Sequence, residues 1–145
     1  AMRMLLLLAG TAMGLTTCAR ATEALDLKLL RDVICEHETR GVPERDLIEP
    51  GPAGEIGRCQ IRISTARQLG FRGHWTLLLL PAFNEAWAAE KVRMGFKRHG
   101  TIFGTAFFYN RGKRPITKND AGWSYAAQVS KEYNRRLFER ARMAR

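Results

Sequence analysis

The 145-residue chain is poor in the residues from which metal centres and membrane anchors are built. It contains three histidines and three cysteines. His37, His74 and His99 are too scattered to form a metal-binding motif, so no metal or cofactor is expected. No run of about 20 apolar residues is present, so the sequence predicts no membrane-spanning helix. Internal repeats and low-complexity segments are also lacking, and strand-like alternation is scarce.

Acidic residues are few relative to basic ones. The chain has 14 Asp and Glu against 24 Lys and Arg, which gives a net charge of +10. This excess predicts an anionic partner, such as nucleic acid, a membrane surface or an anionic polymer. Nucleic acid is disfavoured because stacking aromatics with interleaved Lys and Arg are missing. An apolar content of 46% indicates a globular chain, and its length suits one domain.

The first 21 residues have the pattern of a secretory signal peptide. Arg3 precedes an apolar run from Met4 to Leu15, and Ala19-Arg20-Ala21 has the A-x-A form of a cleavage site. The run is too short to span a membrane, and a buried N-terminal helix is the weaker alternative. We therefore expect export to the periplasm or cell wall, without stable membrane insertion. Residues 22–145 would form the mature domain, with a charge of +8 once two arginines are removed from the +10 chain.

Export would change the chemistry of the remaining cysteines. Cys35 and Cys59 are the one possible pair in residues 22–145, and a disulfide persists in an oxidising compartment. Two free, buried thiols are the alternative. Cys18 would attach a lipid only if a small residue preceded it, and threonine stands there instead.

The first predicted helix, residues 23–38, carries a glutamate on its apolar face. That face is a row at spacings of three and four: Leu27, Leu30 and Ile34. Glu38 continues the row at the next i+4 step, whereas Glu36 lies on the solvated side. Burial of a carboxylate raises its pKa, which suits a general acid working near neutral pH. A helix-end glutamate that turns to solvent is the ordinary alternative.

Turn and cap residues divide the remaining chain. The segment from Thr39 to Gly57 lacks periodicity and is rich in Gly and Pro, which predicts a long connection of the kind that is usually functional or mobile. A short core segment spans Leu77 to Leu80. Further helices are predicted at 64–70 with Ser64 or Thr65 as cap, from Asn84 as cap to His99, at 101–109 and at 123–142. The fold class is therefore mainly α, with few or very short strands.

Three segments combine these helices with polar side chains: ICEHET (34–39), GEIGRCQI (54–61) followed by STA (64–66), and FFYNRG (107–112). In this order they resemble the catalytic Glu-Ser helix, the glycine-glutamine segment and the Tyr-Asn-x-Gly motif of the soluble lytic transglycosylases. The resemblance covers about residues 25 to 135 and implies a lysozyme-like single domain with a glycan cleft. The chain departs from the family pattern at Thr39, Arg58-Cys59 and Arg111.

The resemblance also implies roles for individual residues. Glu38 would be the catalytic acid, and Tyr109 would hydrogen-bond near it. The glycines of GEIGRCQI would permit tight turns and close backbone approach to a ligand. The substrate-binding residues would be Gln60, Tyr109, Asn110, Thr39 and Gly57. A bridge between Cys35 and Cys59 would join the catalytic helix to the cleft wall. Glu55 is structural in the family, while the roles of Glu55 and Arg111 in this chain stay open.

The implied reaction cleaves the β-1,4 bond between N-acetylmuramic acid and N-acetylglucosamine in peptidoglycan. Glycoside cleavage normally uses two carboxylates, but here Glu38 would act alone. It would protonate the glycosidic oxygen and then take the proton of the sugar's 6-hydroxyl, which forms a 1,6-anhydro product.

Two other functions compete with this one. A hydrolytic muramidase on the same scaffold would use a loop carboxylate, such as Asp46, to position water. A non-catalytic wall-binding component would keep the fold alone. Small exported members of the family often open the wall for a secretion or conjugation apparatus, so such an assembly is an expected partner. The sequence leaves endo or exo cleavage and the oligomeric state open.

Overall fold

The computed structural model describes residues 25–145, so the predicted signal peptide lies outside the described part. The described chain is mainly helical, as predicted, and its strands form one short antiparallel hairpin. None of its helices is long and apolar enough to cross a membrane. In chain order the elements are α1 (Leu27–Glu38), a 3-10 helix (Glu44–Leu47), β1 (Glu55–Ile56), β2 (Ile61–Arg62), α2 (Ile63–Gln68), a 3-10 helix (Trp75–Leu79), α3 (Pro81–His99), α4 (Ile102–Arg111) and α5 (Ala121–Met143).

The N-terminus of α1 differs from the prediction. The helix begins at Leu27, four residues later than expected, because the Asp26 side chain accepts a hydrogen bond of 2.8 Å from the Leu29 N–H. A side-chain acceptor at this position satisfies an N–H group that has no partner inside the helix. The C-terminal end is at Glu38, as predicted.

The starts of α2 and α3 also differ. Helix α2 begins at Ile63, directly after the extended Arg62, so Ser64 and Thr65 lie inside its first turn and cap nothing. Helix α3 begins at Pro81, since proline suits a first helical position where no N–H partner is needed. The expected cap, Asn84, is instead fully buried inside α3. Gly100 ends α3 with a φ of 66°, as the sequence indicates.

Two apolar clusters hold the domain together. The larger cluster is built by α1, α3, α4 and α5, and its largest buried side chains include Phe107 and Tyr133. The smaller cluster lies under the hairpin and contains Ile56, Ile61 and Leu78. Burial of large apolar side chains contributes about 1.5–3 kcal/mol each. The apolar contacts of the smaller cluster therefore hold the hairpin beside the helical part of the domain.

Asn84 joins these two parts through its side-chain amide. Its Oδ1 accepts from the Cys59 N–H at 2.8 Å, and its Nδ2 donates to the carbonyls of Ile56 at 2.7 Å and Leu78 at 3.0 Å. A Cβ on Gly57 would lie 2.7 Å from this Nδ2, and Gly57 has a φ of +67°. Both the close approach and the left-handed backbone require glycine at this position.

A disulfide between Cys35 and Cys59 forms a second link. It joins the last turn of α1 to the loop between β1 and β2. Both residues are almost completely buried, with exposed fractions of 1% and 0%. The bridge that the sequence left open is thus present, and it fixes the end of α1 against the hairpin.

Candidate functional site

A small polar cavity of about 120 Å³ opens where α1 ends against the hairpin. It collects side chains from α1, both strands, the hairpin loop, α3 and α4. We call it the Glu38 pocket. Its lining residues are Glu38, Glu55, Gln60, Arg62, Lys91, Tyr109 and Asn110. Four residues predicted from distant segments of the sequence, Glu38, Gln60, Tyr109 and Asn110, are therefore brought together.

Glu38 is partly buried at the C-terminal end of α1. Its Oε1 accepts a hydrogen bond of 2.6 Å from the hydroxyl of Tyr125 on α5. Burial raises the pKa of Glu38 above its ordinary value, while the Tyr125 hydrogen bond and the nearby Lys91 charge oppose this shift. Because desolvation has the largest influence, the neutral acid persists to higher pH than in a surface glutamate.

Lys91 of α3 provides the main positive charge that acts on Glu38. Its Nζ lies 4.2 Å from the centroid of the Tyr109 ring, in a cation–π contact. Burial lowers the pKa of Lys91 to about 8, although Glu38 favours the charged form. Lys91 therefore carries its charge for most of the time at pH 7. That charge stabilises Glu38 once the acid has lost its proton.

Gln60 has a strained backbone at the edge of the pocket. It is the non-glycine residue with positive φ in the described chain, at +47°. Its backbone N–H and its Nε2 both donate to the Gly57 carbonyl, at 3.0 and 2.9 Å. A left-handed conformation costs a non-glycine residue about 1 kcal/mol or more. The disulfide at Cys59 and the strand at Ile61 hold this conformation on either side.

Tyr109 lines the pocket together with Glu38, and the resemblance implied a hydrogen bond near this glutamate. The Tyr109 hydroxyl donates to the Cys59 carbonyl at 2.8 Å and not to Glu38 itself. Burial, together with the Glu38 charge, raises the pKa of Tyr109, so its phenol stays neutral. Tyr109 thus supports the hairpin wall, and Tyr125 is the partner of Glu38.

Sequence reasoning missed Tyr125 altogether. It lies 87 residues from Glu38, on the helix predicted at 123–142. Its ring also meets His37 edge-on, with centroids 5.0 Å apart. No motif marks this tyrosine, because only the packing of α5 beside α1 brings the two side chains together.

Thr39 and Gly57 lie outside the Glu38 pocket. Both line a neighbouring groove of about 380 Å³, together with Arg58. The Thr39 hydroxyl donates to the Cys35 carbonyl at 3.1 Å, so it helps to end α1. Arg111 lines a different groove, which adjoins the pocket, and its Nε is 2.7 Å from the Asp120 carboxylate.

Glu55 shares the pocket with Glu38 but is held by its own turn. Its Oε2 accepts from the Ala53 N–H at 2.9 Å, and its Oε1 lies 3.5 Å from an Arg62 nitrogen. Asp46 lies in the 3-10 helix Glu44–Leu47 and does not line the pocket. The pocket therefore combines one desolvated carboxyl group with one anchored carboxylate.

No protein-family model, curated protein sequence or solved structure matches this chain. The chemistry of the pocket must therefore be deduced from its own side chains. In residues 25–145, no group of three or more His, Cys, Asp and Glu could hold a metal ion.

The pocket is arranged for proton transfer. A neutral Glu38 can donate a proton, and the resulting carboxylate retains the Tyr125 hydroxyl and the Lys91 charge as partners. Gln60 and Asn110 offer amide groups that donate and accept hydrogen bonds. Such amides suit the hydroxyl and acetamido groups of a sugar.

Proposed function

We propose that the protein is an exported peptidoglycan lytic transglycosylase with a lysozyme-like fold. It cleaves the β-1,4 bond between N-acetylmuramic acid and N-acetylglucosamine, and forms 1,6-anhydromuramic acid. The observation that carries the proposal is the desolvated Glu38, whose raised pKa and tyrosine partner suit one group that acts first as acid and then as base.

In the first step, the Glu38 carboxyl group donates its proton to the glycosidic oxygen. The bond between this oxygen and the anomeric carbon breaks, and the N-acetylglucosamine side leaves with a free hydroxyl. The acetamido oxygen of the muramyl unit supports the cation at the anomeric carbon. The new Glu38 carboxylate is stabilised by the Tyr125 hydroxyl, which lies 2.6 Å away, and by the charge of Lys91.

In the second step, the Glu38 carboxylate removes the proton from the 6-hydroxyl of the same muramyl unit. The 6-oxygen then bonds to the anomeric carbon, which closes the anhydro ring and restores the acid. No water enters the product. The substrate supplies its own nucleophile, so a second catalytic carboxylate is unnecessary.

The surroundings of the pocket suit an extended glycan. Two grooves, of about 420 Å³ and 380 Å³, are lined by residues of the pocket or by residues next to it in the chain. The first shares four lining residues with the pocket, and the second contains Thr39, which follows Glu38 in the chain. A sugar chain that passes through both grooves would present one bond to Glu38.

A hydrolytic muramidase is the second candidate, because Glu55 lies in the pocket beside Glu38. A hydrolase would use this carboxylate to activate water. The contacts of Glu55 with Ala53 and Arg62 favour a structural role instead. The earlier candidate for this task, Asp46, does not line the pocket.

The chemistry of the products tests the proposal. Mature protein is incubated with purified peptidoglycan, and the soluble fragments are analysed by mass spectrometry. We expect fragments that end in anhydromuramic acid, and the same fragments from Glu55→Gln, whose side-chain oxygen still accepts from the Ala53 N–H. Reducing muramic acid ends from the parent protein would overturn the proposal in favour of hydrolysis.

The exported location and the role as a local wall-opener for a secretion or conjugation apparatus form part of the same proposal. The net charge of +8 in residues 22–145 supports it, since peptidoglycan stem peptides carry carboxylates that attract a basic protein. A non-catalytic wall-binding component would share this attraction, so the charge alone does not separate the two.

A further inference from the structure

The larger groove beside the Glu38 pocket has an unusual charge. It has a volume of about 420 Å³ and is continuous with the pocket, because Arg62, Lys91, Tyr109 and Asn110 line both. We call it the cationic groove. Its charged lining residues are Arg62, Lys91, Arg111 and Lys113, and none of its lining residues is acidic. Apolar side chains such as Met94 and Phe108 form part of its surface.

Two of these four cations already have carboxylate partners outside the groove. Arg62 lies 3.5 Å from Glu55, and Arg111 lies 2.7 Å from Asp120. Lys91 and Lys113 form no ion pair with the described residues, and Lys91 contacts the Tyr109 ring instead. The groove therefore retains the charge of Lys113 without a carboxylate partner, while the charge of Lys91 interacts with the Glu38 carboxylate when Glu38 is ionised.

The basic surface of α5 provides a contrast. Arg135 pairs with Glu132 at 2.7 Å and with Glu139 at 2.5 Å, and Arg136 pairs with Glu36. On that helix, both of these arginines are matched by acidic residues of the same protein. At the cationic groove, Lys113 has no such partner, and Lys91 keeps its charge although burial makes that charge costly.

We propose that the cationic groove is a subsite for a carboxylate carried by the substrate next to the bond that is cut. This inference rests on the proposed function, because the groove is continuous with the Glu38 pocket. The ammonium groups of Lys91, which also lines the pocket, and of Lys113, which lines only the groove, would bind the anion, while Met94 and Phe108 would contact the carbon atoms that carry it.

Two parts of peptidoglycan offer this chemistry. A strand without peptides exposes the lactyl carboxylate of muramic acid, and an intact strand exposes the carboxylates of its peptide stem. Both would be drawn to the same ammonium groups. Oligomers of N-acetylglucosamine have the same backbone linkage but no carboxylate, so they provide the neutral comparison.

Binding measured without cleavage tests the subsite. Glu38→Gln protein is titrated by calorimetry with three ligands of equal sugar length: peptide-bearing glycan, peptide-free glycan and N-acetylglucosamine oligomer. The same titrations are made with Glu38→Gln that also carries Lys113→Glu. Lys118→Glu is the matched control, because it reverses a charge in the same exposed loop but does not line the groove.

We expect Lys113→Glu to weaken binding of a carboxylate-bearing glycan about tenfold, since it replaces an attraction with a repulsion. The affinity for the neutral oligomer should change by less than twofold. Lys118→Glu should change neither the affinity for the carboxylate-bearing glycans nor that for the neutral oligomer. An effect on the peptide-free glycan alone identifies the lactyl carboxylate as the ligand, an effect on the peptide-bearing glycan alone identifies the stem carboxylates, and an effect on both shows that the groove accepts either carboxylate. Equal loss for the neutral oligomer, or no loss for any ligand, overturns the subsite.

This result is separable from the fate of the proposed function. Cleavage of peptidoglycan to anhydro products with no charge preference in binding would reject the subsite and keep the enzyme. A charge preference that depends on Lys113, in a protein that cleaves nothing, would keep the subsite and reject the enzyme.

Discussion

Replacing Glu38 by glutamine is expected to lower the rate of peptidoglycan cleavage by about 10³-fold. Glutamine retains the shape of the side chain and accepts the Tyr125 hydrogen bond, but it cannot donate an acidic proton to the glycosidic oxygen. General acid–base catalysis contributes about 10²–10⁴-fold to enzymatic rates. Because Glu38 serves in both steps of the proposed reaction, we expect a loss of rate larger than the lower limit of that range.

The same substitution is expected to leave the fold intact. The folded-state pKa of Glu38 is raised above its ordinary value, so the stability associated with its proton is present at low pH and is lost as pH rises through the folded-state pKa. Glutamine has no proton to lose. Glu38→Gln should therefore be at least as stable as the parent at pH 8, as measured by thermal unfolding.

Glu36→Gln is the matched control for this experiment. Glu36 lies in the same turn of α1, but on the exposed side, where it pairs with Arg136 and Arg58. Exposed ion pairs contribute about 0–1 kcal/mol to the free energy of unfolding. Glu36→Gln should therefore stay folded and retain nearly full activity. Release of soluble muropeptides is measured for all three proteins. Undiminished release by Glu38→Gln would reject the enzymatic proposal.

Loss of the disulfide is expected to produce the largest change in stability. Cys35 and Cys59 are 24 residues apart, and closing a loop of this length stabilises a protein by about 3 kcal/mol in the chain-entropy model. The double variant Cys35→Ala/Cys59→Ala should therefore unfold at lower urea, with a free energy of unfolding reduced by about 3 kcal/mol. The two small cavities left in the core would add to this loss.

The double variant should also lose activity at temperatures where it remains folded. The bridge joins the end of α1, which carries Glu38, to the loop that holds the left-handed backbone of Gln60. Reductant should destabilise the parent to the same extent and leave the double variant unchanged. Equal unfolding curves for the parent and the double variant would contradict the structural role of the bridge.

The helical part of the fold could be predicted because its signals are local. The row Leu27, Leu30, Ile34 places Glu38 on an inward face through i+4 spacing alone, and the structure confirms this position. Gly100 marks the end of α3 for an equally local reason, since its φ of 66° favours glycine. Within the pocket, Gln60 and Asn110 also lie where their segments suggested.

The remaining features depend on contacts between distant segments. Asparagine is a residue type typical of helix caps, yet Pro81 begins the helix three residues before Asn84, and the Asn84 amide is buried against the hairpin. Tyr125 gives no local signal of its contact with Glu38, because that contact follows from how α5 packs on α1. The partner of the Tyr109 hydroxyl, the Cys59 carbonyl, likewise depends on how α4 packs against the hairpin loop.

The most direct test of the central claim is the titration of the Glu38 carboxyl carbon by NMR, in protein labelled at glutamate. We predict a pKa above the ordinary glutamate value, because burial outweighs the opposing hydrogen bond and charge. Tyr125→Phe should raise the pKa of Glu38 further, since it removes the hydrogen bond that favours the carboxylate. Tyr133→Phe is the control and should not change this pKa, because the Tyr133 hydroxyl accepts from the Asp26 N–H instead of contacting Glu38. A Glu38 pKa at or below the ordinary glutamate value would contradict the account.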